Sequence, residues 1–268
     1  MSISHFIITR FNLRRDAADE RAINPAWLDE RFALFDRFCF PSVKAQTSQH
    51  FRWLVLFDEQ TPPQARARIR EYERWPTFIP VFFAPASREQ ARQAVQAQLR
   101  GQPPASLLTT RLDNDDALST RFIELVQRHA DAPVPTLVEF PFGYVWHRDR
   151  LYLDRQDRNP FSTLVEPLDR QSDFRTIYAA SHHDVGAGRR VVQASGDPAW
   201  IQVIHGGNVA NRPRGIRTPM ARLSNDFVIE REKLAQSESR VGLRLDVLRT
   251  TIRDRLRRTI RAPRGRAA

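Results

Sequence analysis

The chain has 268 residues, 41% hydrophobic and 10% aromatic, enough to fold around a full core and to exclude an intrinsically disordered protein. Its one cysteine, Cys39, excludes an internal disulfide and a cysteine-ligated zinc site, and no run approaches about 18 consecutive apolar residues, so no membrane-spanning helix is expected. The net charge of +11 is concentrated: residues 240–268 hold ten arginines against Asp246 and Asp254, a net of +8, and leave +3 for the rest.

The predicted elements alternate along the first half. His5–Thr9 is a short buried strand. Pro25 to Phe40 carries Trp27, Leu28, Phe32, Phe35 and Phe38 at helical spacing, with Pro41 expected to end the helix. Phe51–Asp58 is a dense apolar strand closed by an acid. Thr61-Pro62-Pro63 opens a helix to about Trp75, with proline in its first turn. Phe78–Phe83 is a third strand, and a helix capped by Ser87 runs to about Arg100. Leu107–Leu112 is a fourth strand, and Leu118–His129 is helical. Beyond residue 133 the pattern becomes a meander, with short strands at 136–140, 144–147, 150–153, 162–166, 176–180 and 200–204. Residues 181–186 and 211–219 are expected as loops, the second mobile, and helical character resumes near Phe227.

Strands separated by helices of this length predict an α/β fold with a mostly parallel central sheet flanked by helices. Ligands of such sheets bind beyond the carboxyl ends of the strands. Thr9 and Arg10, Asp58, and the segment Asp113-Asn114-Asp115-Asp116 all fall at those ends. In an extended chain Asp113 and Asp115 would share a side. Two hard oxygen ligands suit Mg²⁺ or Mn²⁺, which keeps waters and takes further ligands from a diphosphate. The alternative is a solvated acidic turn with Asp116 as the N-cap of the next helix.

These residues also resemble a known family. Phe51–Asp58 is similar to the strand of family 2 nucleotide-sugar glycosyltransferases that ends in a base-contacting aspartate, and Ala91-Arg92-Gln93-Ala94 followed by Leu107–Leu118 resembles that family's segment leading into its metal-binding DxD strand. The fuller pattern resembles a bacterial rhamnosyltransferase group through Thr9-Arg10-Phe11-Asn12, Trp53–Asp58, Thr110–Asp116 and Trp200–Asn208. The resemblance implies a Rossmann-type GT-A fold over residues 1–225, with a nucleotide-sugar half (1–130) and an acceptor half (131–225), followed by a basic helical extension (226–268). It places Thr9, Arg10, Asp58 and Arg92 at the nucleotide sugar, together with Arg111, Asp113 and Asn114. It places Asp113 and Asp115 at the metal, with Asp116 as an alternative to Asp113. The implied donor is a dTDP-, UDP- or GDP-sugar and the implied acceptor a glycan or lipid-linked molecule. Gln93 departs from the family's usual asparagine.

Glycosyl transfer needs a neutralised leaving diphosphate and a carboxylate to take the acceptor proton. Asp184, in a polar loop beside His182 and His183, and Glu139, which interrupts an apolar run, are the candidate bases. Burial would raise the pKa of Glu139. His205, before Gly206-Gly207-Asn208, is a candidate third metal ligand or phosphate contact, or else a hydrogen-bonded histidine in a tight turn.

In the tail, Val241, Leu245, Leu248, Ile252, Leu256 and Ile260 form an apolar stripe on an arginine-rich helix ended by Pro263. Such a helix lies on an anionic membrane surface, docks on its own domain, or makes a dimer contact. The absence of a signal sequence and the cysteine usage point to a cytoplasmic protein, peripheral on the inner membrane face if the helix binds lipid. The competing functions are a basic nucleic-acid-binding protein, a phosphohydrolase using Asp113, Asp115 and Asp116, and a non-catalytic scaffold. Confinement of the charge to one terminal helix argues against nucleic acid as a partner.

Overall fold

The computed structural model describes residues 2–14, 16, 18–85, 89–99, 104–168, 173–181, 183–206, 213–223, 226–229 and 240–261. In chain order they form β1 (Ile3–Arg10), α1 (Pro25–Leu34), α2 (Phe40–Lys44), β2 (Arg52–Asp58), α3 (Pro63–Tyr72), β3 (Phe78–Phe83), α4 (Glu89–Gln98) and β4 (Ser106–Arg111). There follow β5 (Ala117–Leu118), α5 (Phe122–Gln127), β6 (Thr136–Glu139), β7 (Phe142–His147), β8 (Arg150–Arg155), β9 (Thr163–Pro167), β10 (Arg190–Gln193), β11 (Trp200–Ile204), β12 (Ile216–Thr218) and α6 (Arg240–Arg261).

A seven-stranded sheet runs β10-β6-β9-β4-β1-β2-β3. Every neighbouring pair in it is parallel except those made by β9, which runs against both β4 and β6. Alternation along the strands splits the core between two faces. Ile7, Trp53, Val55, Leu108 and Val138 pack with α1, α3 and α5 on one face. Phe6, Ile8, Leu54, Leu107 and Leu137 pack with α4 and with Phe174, Ile177, Tyr178 and Val185 on the other. A second sheet, β12-β8-β7-β11-β5, stands beside it on its own core of Tyr144, Trp146, Leu151, Ile201 and Val203.

The parallel register brings the ends of β1, β2 and β4 to one edge, as their polar termini predict: Arg10 lies opposite Leu56 of β2, and Ile8 opposite Arg111 of β4. The structure corrects several elements elsewhere. Pro41 does not end the first helix. A π turn over residues 35–39, closed by the N–H of Phe40 on the carbonyl of Phe35, intervenes, and Pro41 sits at the first turn of α2, where no intrahelical N–H is required. Ala117–Leu118 is a strand on Trp200–Ile201, so the helix expected from Leu118 begins only at Phe122. Residues 176–180 form no strand. The free edge of β4 is taken by β9, and the N–H of Ile177 instead bonds the Thr109 hydroxyl (2.9 Å). Within the expected mobile loop, Ile216–Thr218 is an edge strand on β8. Phe227–Ile229 is not helical, and the next described helix starts at Arg240. The Ser87 cap, the break at 101–103 and His182, Gly207 and Asn208 lie outside the described residues.

Candidate active site

The acidic segment is built from its own backbone outward. The chain does not stay extended past β4: the N–H of Asp116 returns to the carbonyl of Asp113 (3.3 Å), so the alternation that would align Asp113 with Asp115 does not apply. Each acid goes its own way. Asp113, 37% exposed, is gripped by Arg111 through Nη2 (3.0 Å) and Nε (3.2 Å). Asp115 is buried and takes Arg31 Nη1 (2.9 Å) and His205 Nε2 (2.8 Å) on the same Oδ2. Asp116 is buried and caps no helix; it accepts the N–H of Val203 (2.8 Å). That bond ties the acidic segment to β11, the strand that delivers His205. Asn114 donates to the Phe11 carbonyl (2.8 Å) and fastens the same segment to the end of β1.

The electrostatics differ accordingly. Burial alone would raise the Asp115 carboxyl, but the His205 hydrogen bond and the Arg31 charge hold it below its ordinary range. Burial, then the charges of Asp115 and Asp113, push Asp116 well above its ordinary range. Cys39, delivered by the π turn, lies beneath this loop with Sγ 3.6 Å from the Asp113 carbonyl, and burial raises its thiol. It is a small, fully buried side chain.

Arg10 and Arg111 flank Tyr178. The Arg10 guanidinium lies 4.1 Å and that of Arg111 5.5 Å from the ring centroid. Burial pushes the Tyr178 hydroxyl up to about 12, so it stays protonated and donates to the Ile8 carbonyl (3.3 Å). Two arginines so held at the ends of adjacent strands form a preset cationic edge.

The remaining sequence candidates are less open. Thr9 is fully buried, its hydroxyl accepting the Trp53 indole N–H (2.9 Å), because its side chain alternates toward the core face. Asp58 is fully buried, taking Arg14 Nε (3.0 Å) and the N–H of Gln60 (2.8 Å). Arg92 is partly exposed and pairs with Glu89 (2.7 Å) and Asp173 (3.6 Å). Asp184 is exposed and accepts the Ser181 hydroxyl (2.5 Å). Glu139, at the end of β6, is buried with Oε1 unpartnered, and burial raises its pKa. Three contributors were not read from sequence: Arg14, Arg31 and Tyr178. Each reaches the site through a tertiary contact that no local pattern announces.

Among the described residues no three His, Cys, Asp or Glu side chains cluster as a metal cage. The phosphohydrolase arrangement of Asp113, Asp115 and Asp116 is therefore not assembled. Asp115 Oδ2 and His205 Nε2 do stand 2.8 Å apart, and two ligands about 2.1 Å from one cation, at right angles, lie about 3 Å apart. Arg31 Nη1 lies 2.9 Å from Asp115 Oδ2 and 3.3 Å from His205 Nε2, so a divalent ion at this pair would displace that guanidinium and complete its shell from water and substrate. Asp113 does not join it.

A family model described as "Putative rhamnosyl transferase" matches residues 6–217. The chain belongs to this family. The match spans every strand of the seven-stranded sheet except the first residues of β1. Among solved structures, this chain is similar to S. aureus TarS 1–349 in complex with UDP, at 10% identity over 76% of this chain and 61% of that one, with a TM-score of 0.43. It is also similar to the mannosyltransferase PcManGT from Pyrobaculum calidifontis in complex with GDP-Man and Mn²⁺, at 13% identity over 76% of this chain and 58% of that one, with a TM-score of 0.43. The chain thus spans about three fifths of the length of each. No curated protein sequence matches it.

Proposed function

We propose that this glycosyltransferase moves a sugar, rhamnose by the family's description, from a nucleotide-diphosphate donor to a glycan or lipid-linked acceptor, and that transfer depends on Mn²⁺ or Mg²⁺. The observation that carries this reading is the convergence at one sheet edge of two unlike cation systems: the Asp115–His205 pair and the Arg10–Tyr178–Arg111 stack. A leaving diphosphate concentrates negative charge, and preset cations there stabilise it most as the glycosidic bond breaks. Asp115 and His205 would hold the ion, which when bound supplies a Lewis-acid clamp on the diphosphate. Arg10 and Arg111 would meet the same phosphates from the adjacent strand ends. Asp58 with Arg14 forms the floor at the end of β2, where the base would lie.

Wild-type protein should gain thermal stability from one or more of UDP, dTDP and GDP, and only with Mn²⁺ present. At a hundred times Kd the gain is about 2.7 kcal/mol, or roughly 5–11 °C for a chain of this size. No shift with any nucleotide, with or without metal, would overturn the reading.

We assign the proton-accepting role to Glu139. Alternation along β6 places it on the face of Leu137, whose core includes Tyr178, and burial raises its pKa toward that of an efficient base. The base must be deprotonated, so activity should fall on the acid side at a pH above the usual glutamate range. Glu139→Gln should lower kcat by about 10²-fold or more with donor binding unchanged, while Asp184→Asn leaves both near wild type. The reverse pattern would move the role to Asp184.

A further inference from the structure

Helix α6 meets the body through its polar side. Thr250 is buried, and its hydroxyl accepts the N–H of Arg217 (2.9 Å) while contacting the Asp246 carbonyl (2.7 Å). Asp246, one turn earlier, pairs with Arg150 (3.2 Å). Leu243, Val247 and Arg253 are half-buried on the same side.

Three residues of the apolar stripe face the opposite way. Leu245 is 50% exposed, Leu248 58% and Ile252 51%. Their spacing of three and four puts them on one face, and Arg244 and Arg249, both exposed, flank it. A helix on a globular protein ordinarily turns such a stripe inward. Here the inward positions are held by the Thr250 and Asp246 contacts. Of six large exposed apolar side chains among the described residues, these three fall within one eight-residue stretch.

We propose that α6 docks the enzyme on an anionic lipid bilayer, its Leu245–Leu248–Ile252 face entering the acyl boundary and its arginines meeting headgroup phosphates. Charge selects the occupant. Residues 240–268 carry +8, so a second copy on this face would set two strongly cationic segments together. A nucleic acid would answer the charge but leave the leucines and isoleucine in water. An anionic bilayer satisfies both, and guanidinium groups match phosphate geometry. The docking face also lies at the sheet end that carries His205. Arg150, which holds Asp246, is paired with His147 on β7, and His147 with Ile204 on β11. Docking would thus present that end to lipid-linked molecules, a consequence that rests on the transferase reading, whereas the docking itself does not.

The test uses the full chain without nucleotide or acceptor, so its outcome is independent of donor binding. Co-sedimentation with phosphatidylcholine vesicles, with and without phosphatidylglycerol, should show binding only to the anionic vesicles, weakened by salt. Leu248→Glu/Ile252→Glu should reduce partitioning at least tenfold. Arg244→Gln/Arg249→Gln should reduce it about fivefold per arginine. All four positions are exposed, so the variants should melt with wild type. Absent binding, or equal binding to neutral vesicles, overturns the proposal. So does a wild-type dimer in sedimentation equilibrium that the Leu248→Glu/Ile252→Glu pair dissociates, or retention of duplex DNA without vesicle binding.

Discussion

Asp115→Asn should abolish the metal-dependent nucleotide response and lower turnover by about 10²–10³-fold, the usual loss when one preset charge-stabilising group is removed. The carboxylate is buried and its Oδ2 already joins His205 and Arg31, so it is the one acid of the segment joined to a histidine, the second ligand the proposal assigns to the ion. Asparagine keeps the shape and one acceptor for Arg31 but removes the charge that would hold a divalent ion. Weakening two charge-assisted bonds should cost about 1–3 kcal/mol, so the variant should melt a few degrees lower yet remain folded. Asp113→Asn is the informative comparison. That side chain is half-open to water and tied to Arg111, so its loss should cost only about tenfold, mostly in donor KM. Thermal shift with Mn²⁺ and nucleotide, beside turnover on both variants, separates the two. A larger loss at Asp113 would move the cation site away from the Asp115–His205 pair.

The contrast between these acids also marks where sequence reasoning stops. Apolar runs that end in charge are local signals, and they are enough to place Arg10, Asp58 and the acidic segment at one sheet edge. The same logic failed one residue later. Alternation assigns Asp113 and Asp115 to one side only while the chain is extended, and the bond from Asp116 to Asp113 turns it. Arg31 lies on α1 with nothing in its neighbourhood to distinguish it from other solvated arginines. Its role exists only because the helical stretch 25–44, continuous through the π turn, packs against β5. Tyr178 was placed in a strand, since its neighbours are apolar; the strand could not form because β9 had already closed the edge of β4. Short edge strands such as β10 and β12 carry too few apolar positions to show a period. The fold was therefore readable where long buried runs dominate, and the site was readable where a charge ends such a run.

Gly143→Ala should be among the most damaging single substitutions, although it adds only one methyl. A Cβ at this position of β7 would lie 2.0 Å from Trp200 Cδ2 and 2.3 Å from Cε2 and Cε3, inside the ring's own van der Waals surface. The ring has nowhere to go. Trp200 is fully buried, stacks on Phe161 at 4.8 Å with planes 5° apart, and donates its indole N–H to the Phe140 carbonyl (2.8 Å). Overpacking against a rigid ring so held should cost about 3 kcal/mol, the upper part of the usual range, which lowers Tm by roughly 6–12 °C. The damage should also reach the site. Trp200 begins β11, and β11 ends where His205 meets Asp115, so a strand displaced by the methyl weakens the metal-dependent nucleotide response in the fraction that still folds. Gly206→Ala is the control, since among the described residues a Cβ there meets no atom within 4 Å, and it should change stability by less than about 0.5 kcal/mol. Combining Gly143→Ala with Trp200→Leu should cost less than the sum of the two, because the smaller side chain vacates the contested space. Full additivity, or a Gly143→Ala protein that melts with wild type, would show that Trp200 does not fix the position of β11.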